Sequence, residues 1–207
     1  MIQPRDTILF QGDSITNAFR RPEEINNAFQ LGSGYALLIA ARLLLDRPAD
    51  QLAFLNRGVS GDTVQKLAGR WRKDCLDLRP TVLSILVGIN DALSGTPLPE
   101  FIATYQELLQ STRRELPAVR LVLCEPFVLP CGLITPAHSA DLKLKQPIVR
   151  QLAAEFAATF VPLQAPFNAA AARTTPADWA YDGIHATAAG FALIAREWLR
   201  QVEGLPV

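Results

Sequence analysis

The run Thr81-Val82-Leu83-Ser84-Ile85-Leu86-Val87 constrains this chain more than any other stretch. It is built from β-branched and aliphatic residues without a polar alternation, so a strand formed from it must be covered on both faces. Such a strand belongs inside a parallel sheet, and the surrounding segments agree. Ile8-Leu9-Phe10, Gln51 to Leu55, Arg120 to Cys124 and Thr159 to Val161 read as four further strands. Helical spacing of apolar residues separates them: Gly34 to Leu45, a single helix capped by Asp62 or Thr63 and running to Leu78, and about Pro99 to Leu116. Then come Asp141 to Phe156, with a bend expected at Pro147, and Ala165 to Ala172 and Thr187 to Val202. Strands alternating with helices of this length predict an α/β chain with a parallel sheet and helices on both faces. Asn17 to Ser33 is expected to be a loop or a short irregular helix beside the site, and Glu125 to about Ser139 a loop.

A chain of 207 residues, with no internal repeat or linker, is expected to form one domain over residues 1–207. Twenty Lys and Arg balance twenty Asp and Glu, so no global field recruits nucleic acid or an anionic membrane, and the expected partner is a small, weakly charged molecule. No leader of basic and then apolar residues opens the chain, and no apolar run approaches membrane-spanning length; the expectation is a cytoplasmic protein. Cys75, Cys124 and Cys131 are too few and too widely spaced for a zinc or disulfide framework, and read as reduced packing thiols with Cys131 the most exposed.

Ligands of open parallel sheets sit beyond the carboxyl ends of the strands. The first strand ends in Gln11-Gly12-Asp13-Ser14-Ile15-Thr16, a shape that turns sharply into a helix and lifts the Ser14 hydroxyl to that edge. Taken alone, Asp13 or Ser14 would be read as a helix cap. A serine nucleophile needs a base, an acid to orient the base, and donors for the oxyanion. The chain has two histidines. His138 lies in the proline-bearing loop and reads as a surface residue, whereas His185 follows Asp182 by three residues with Gly183 between to permit a tight turn. Asp182 could then curl back to the Nδ1 hydrogen of His185 and leave Nε2 facing the serine; the alternative is that the pair merely caps the last helix. Gly58 ends the second strand, where its N–H could approach a ligand or simply turn the chain. Asn90 ends the third, as a side-chain donor or as the start of an Asx turn. With the Ser14 N–H these make three candidate oxyanion donors.

Gly12-Asp13-Ser14-Ile15, Gly58 within Asn56-Arg57-Gly58-Val59-Ser60-Gly61, Gly88-Ile89-Asn90-Asp91 and Asp182-Gly183-Ile184-His185 resemble, in order, the four sequence blocks of the SGNH (GDSL-type) hydrolases. The resemblance implies a flavodoxin-like three-layer α/β/α fold on a five-stranded parallel sheet, and metal-free, cofactor-free serine esterase chemistry. It would make Ser14 the nucleophile, His185 the base, Asp182 its orienting acid, and Gly58 and Asn90 oxyanion donors. Asn56 to Val64, the segment around Arg70-Trp71-Arg72-Lys73-Asp74-Cys75-Leu76, Glu125 to Pro130 and the block containing Trp179 resemble the intracellular acetylxylan esterases of that superfamily. That implies deacetylation of xylo-oligosaccharides by a homo-oligomer. The last block departs from them, with Ala186-Thr187-Ala188-Ala189-Gly190-Phe191 where Pro-Thr and a further histidine are common. Asp13, Ile15, Val59 and Trp179 are the candidate substrate contacts: Ile15 and Val59 would narrow an acyl pocket toward acetyl, and Trp179 would stack on a sugar or else fill core. The competing expectations are a short-chain carboxylesterase, lysophospholipase or thioesterase, and an inactive carbohydrate-binding protein.

Overall fold

The computed structural model describes residues 2–23 and 28–205. Within them, β1 (Thr7–Gly12), β2 (Ala53–Asn56), β3 (Val82–Leu86), β4 (Arg120–Cys124) and β5 (Thr159–Val161) form one parallel sheet in the order β2-β1-β3-β4-β5. This is the flavodoxin-like order, whose switch point lies between β1 and β3. The helices are α1 (Ser14–Asn17), α2 (Tyr35–Asp46), α3 (Val64–Gly69), α4 (Trp71–Asp74), α5 (Ile89–Ser94), α6 (Leu98–Glu115), α7 (Pro136–Glu155), α8 (Gln164–Ala171) and α9 (Ala188–Glu203).

Side chains of a strand alternate between faces, and here both faces are apolar. Ile8 and Phe10 of β1, Val82 and Leu86 of β3 and Val122 of β4 pack with Tyr35 and Ile39 of α2, Phe167 of α8 and Ile194 and Trp198 of α9. Leu9, Leu83, Ile85, Leu121 and Leu123 point the other way, onto α3, α4, α6 and part of α7. Ile8, Leu9 and Phe10 are fully buried, each contributing about 1.5–3 kcal/mol of transfer free energy. The one polar side chain inside β3, Ser84, accepts a hydrogen bond from Trp198 Nε1 at 3.0 Å, so a hydroxyl that would be costly alone at the sheet centre is partnered.

Three helical expectations are corrected. The stretch from residue 62 to 78 is not one helix but α3, α4 and a 3₁₀ turn, Leu76–Leu78, broken at Arg70 and Cys75. Thr63, not Asp62, caps α3, its hydroxyl accepting from Lys66 N–H. α7 begins five residues earlier than its periodicity suggests, because Thr135 caps it and Pro136 occupies the first turn, where a missing N–H is harmless. Pro147 lies on its exposed side and does not interrupt it. The Asn17–Ser33 stretch holds a 3₁₀ turn at Ala28–Leu31; its residues 24–27 lie outside the described residues.

Trp198 is fully buried between Phe10 and Ser84, its ring centroid 5.9 Å from that of Phe10. Trp198→Ala should lower unfolding free energy by about 3–5 kcal/mol, read from the urea midpoint at unchanged m-value.

Candidate active site

β1 delivers Gly12 and Asp13 to the edge of the sheet, and Ser14 opens α1. The Asp13 carboxylate accepts the Ile15 N–H at 2.9 Å. Capping and presentation of the serine are therefore the same local event. Ser14 Oγ lies 2.9 Å from His185 Nε2, and His185 Nδ1 lies 2.6 Å from Asp182 Oδ2. The network assigns the proton on Nδ1 to the side facing the acid, leaving Nε2 to accept from the serine.

Asp182 and His185 sit in a hairpin closed by the antiparallel bridge Ala180↔Ala186. Within it Asp182 Oδ1 also accepts the N–H groups of Ile184 and His185 at 3.0 and 2.8 Å. Burial alone would raise the Asp182 carboxyl, but the bonds from the His185 ring and these two amides hold it below the ordinary aspartate value. Gly183 makes the hairpin possible: its φ is +88°, and a Cβ there would stand 2.5 Å from the Cys131 carbonyl. Its own carbonyl accepts from Leu129 N–H and that of Asp182 from Leu133 N–H, so the hairpin is pinned to the chain leaving β4.

Asn90, in the first turn of α5, donates from Nδ2 to the Asp62 carbonyl at 3.0 Å, which leaves its second amide hydrogen to point elsewhere. Gly58 is buried against α1; a Cβ would lie 2.5 Å from Asn17 N. Its carbonyl is held by Asn17 Nδ2 and Arg20 Nε, and its N–H is engaged at 2.9 Å by Asn56 Oδ1. That bond is a local Asx turn, and the same fully buried Asn56 spends its Nδ2 on the carbonyls of Thr16 and Leu31, a long-range bridge with no local sequence signal.

The substrate contacts expected from sequence divide. Val59 is half-buried, with its N–H on the Gly12 carbonyl. Ile15 is 1% exposed and belongs to the hydrophobic core, because the first helical turn rotates it away from Ser14. Asp13 is equally buried and does not face solvent. Trp179 donates to Thr174 Oγ1 and lines a cavity of about 400 Å³ between α8 and α9. The aromatic ring beside the histidine is instead Tyr181, stacked on His185 at 5.8 Å between centroids and 58% exposed. The signal was present in the sequence: Tyr181 is the aromatic residue that directly adjoins the acid of Asp182-Gly183-Ile184-His185, whereas Trp179 closes the 3₁₀ turn at Pro176–Asp178. His138 is not a loop residue but closes a capping box with Thr135 in the first turn of α7.

A model of the GDSL-like lipase/acylhydrolase family matches residues 10–193, and the chain belongs to that family; it is a carboxylic ester hydrolase. It is 32% identical over 209 residues to an acetylxylan esterase of Geobacillus stearothermophilus, covering 95% of this chain and 94% of that one. Among solved structures, the acetylxylan esterase variant Axe2-W215I from the same organism superposes with a TM-score of 0.90 at 31% identity, covering 100% and 98% of the two chains. A structure described as a GDSL-like lipase from Parabacteroides merdae superposes at 0.91 with 36% identity and 97% coverage of each.

Beneath Ser14, burial pushes the Asp13 carboxyl up to about 7, opposed by the Ile15 N–H and reinforced by the charges of Asp91 and Asp62; its Oδ2 has no hydrogen-bond partner. Folded Asp13 thus keeps a proton that the unfolded carboxyl, near about 4, has lost. The native state binds more protons across this interval, so stability falls as pH rises from about 4 to about 7. Asp13→Asn keeps the Oδ1 acceptor and removes the charge. Its urea midpoint should gain on wild type between pH 5 and pH 8, and an identical gap at both pH values would show that Asp13 does not titrate there.

Proposed function

We propose that this single domain is a serine esterase that releases acetate from acetylated sugars, xylo-oligosaccharides above all, through an acyl-enzyme on Ser14. The observation that carries the reading is the continuous relay from Ser14 Oγ through His185 to Asp182, at 2.9 and 2.6 Å. Nε2 of His185 takes the serine proton as Oγ attacks the ester carbonyl, then gives it to the departing sugar hydroxyl. A water deprotonated by the same nitrogen attacks the acyl group, and acetate leaves as Ser14 recovers its proton. Asp182, ionised and triply hydrogen-bonded, orients the ring and stabilises the imidazolium.

The developing oxyanion is received by the Ser14 N–H and the free amide hydrogen of Asn90. Gly58 contributes as the shared arm of a three-centre bond, since its N–H already meets Asn56 Oδ1. A protonated Asp13 favours the reaction, because a buried negative charge next to the nucleophile would oppose loss of the serine proton. The Geobacillus esterase Axe2 has been solved with catalytic mutations at a serine, an aspartate and a histidine. Its aspartate and histidine are three residues apart, the spacing of Asp182 and His185, which supports the assignment here. Likeness to acetylxylan esterases over nearly the whole chain supports the sugar substrate. Cytoplasmic action as a homo-oligomer completes the proposal. The buried thiols suit a reducing compartment, burial raising Cys124 to about 12, and light scattering on the purified protein reads the subunit number.

Acetate release from acetylated xylobiose should exceed hydrolysis of p-nitrophenyl butyrate and of lysophospholipid; rates that climb with acyl length would point to a lipolytic enzyme instead. Ser14→Ala and His185→Ala should each lower kcat by several orders of magnitude with little change in thermal midpoint, as expected of groups that act as a unit. Near-native turnover in either variant rejects that residue's role.

Tyr181 offers an exposed ring face to a pyranose bound at His185. Tyr181→Ala should raise KM for acetylated xylobiose by about threefold to tenfold, the range of one aromatic contact. KM for p-nitrophenyl acetate should change by less than about twofold, and parallel losses on both substrates would exclude a sugar contact.

A further inference from the structure

We propose that Arg70 is a positioning residue for ester hydrolysis, fixing the Asn90 amide relative to Ser14; the assignment rests on the oxyanion role given to Asn90 above. Arg70 stands at the break between α3 and α4, a site where an arginine ordinarily reaches into solvent. Its side chain is only 17% exposed. Nε donates to Asp62 Oδ2 at 2.7 Å, Nη1 to Gln11 Oε1 at 3.0 Å and Asp74 Oδ2 at 3.2 Å, and Nη2 to the Gly12 carbonyl at 3.3 Å. Gln11, fully buried, closes the ring by donating from Nε2 to the Asp74 carbonyl at 2.6 Å.

These partners belong to the parts that must be mutually registered. Gln11 and Gly12 are the tip of β1, immediately before Asp13 and Ser14. Asp62 supplies the carbonyl that holds Asn90 Nδ2. One rigid guanidinium therefore grips both the strand that presents the hydroxyl and the residue that aims the amide. Because the two amide hydrogens of Asn90 lie in one plane, fixing the first on Asp62 fixes the direction of the second. An oxyanion donor acts only at about 2.7–3.1 Å from its target, so slack of about 1 Å in Asp62 passes directly to the reaction. Lysine keeps the charge but brings a single nitrogen in place of a planar fork, and cannot hold these partners at once.

The test is kinetic, with p-nitrophenyl acetate as substrate. Arg70→Lys should lower kcat by about tenfold to a hundredfold with KM within about twofold. Arg72→Lys, at an exposed arginine paired with Glu115 and Asp77, should change neither. In an Asn90→Ala background Arg70→Lys should cost clearly less than in the wild-type background, because the amide it positions is gone and only its hold on the tip of β1 remains; equal losses in both backgrounds would overturn the proposal. Asp62→Ala, which removes the carboxylate and keeps the carbonyl, should reproduce the Arg70→Lys loss and serves if the arginine variant does not fold; unchanged kcat in it also overturns the proposal. A readout independent of turnover separates this inference from the esterase reading. The Asn90 side-chain amide resonances in ¹⁵N–¹H spectra should move in Arg70→Lys and stay in Arg72→Lys. Unmoved resonances reject the clamp, whereas a wild-type protein inert toward esters rejects the reading on which it rests.

Discussion

Polar groups without water must find each other, and the carboxyl edge of this sheet is where that requirement is most severe. Gln11, Asp13, Asn56, Asp62 and Asp91 are all buried there, each carrying a desolvation cost of a few kcal/mol if left unpartnered. Nearly all of that demand is met by bonds between segments distant in sequence. Asn56 ties the end of β2 to Thr16 and Leu31; the Asp91 carboxylate receives the Val64 N–H at the start of α3; Arg70 gathers Asp62, Asp74 and the tip of β1. The result is a floor of crossed hydrogen bonds under the serine. A loose set of loops would satisfy the same groups with water and could not hold donors to a few tenths of an ångström.

The exception in that floor is informative. Asp13 Oδ2 finds no partner, and its neighbours Asp62 and Asp91 repel a charge on it, while burial pushes Asp91 itself up to about 6. Protonation resolves the conflict at modest cost. Two carboxyl groups next to or near the same serine are thus pushed in opposite directions: three hydrogen bonds hold Asp182 ionised, whereas burial, with one hydrogen bond to oppose it, brings Asp13 up to about 7 and leaves it partly protonated at neutral pH. Environment, not residue type, divides the labour.

Much of this could be read from the amino acids. β4 and β5 have the bounds that their aliphatic runs predict, and β1 and β3 differ by a residue or two, because burial on both faces leaves little room for polar residues. Ser14, Asp182 and His185 were legible because a short acid-glycine-histidine spacing and a strand-end serine are local patterns. What escaped was non-local or rotational. The Asn56 side chain reaches the Gly58 N–H two residues on, a local Asx turn that Asn56-Arg57-Gly58 permits, but nothing near Asn56 signals that its Nδ2 will bridge Thr16 and Leu31. One residue beyond Ser14, a rotation of about 100° turns Ile15 into the core. Arg70 breaks a helix whose periodicity continues across it, since the four hydrogen bonds of its guanidinium outweigh the i,i+4 pattern. The early start of α7 is encoded in Thr135-Pro136, a cap and first-turn pair that apolar spacing alone does not reveal.

The pinned hairpin at residues 180–186 also orders events in time. Its carbonyls are held by Leu129 and Leu133, and Ala180 and Ala186 share a core with α9, which packs on α2. On the ribosome, the Ser14 hydroxyl is made 171 residues before the imidazole that meets it. Under the proposed mechanism the hydroxyl therefore waits, with nothing to activate it, until the hairpin at residues 180–186 has emerged and been pinned to the chain leaving β4. Hydrolytic competence is in this sense withheld from any nascent chain that stops short of that hairpin.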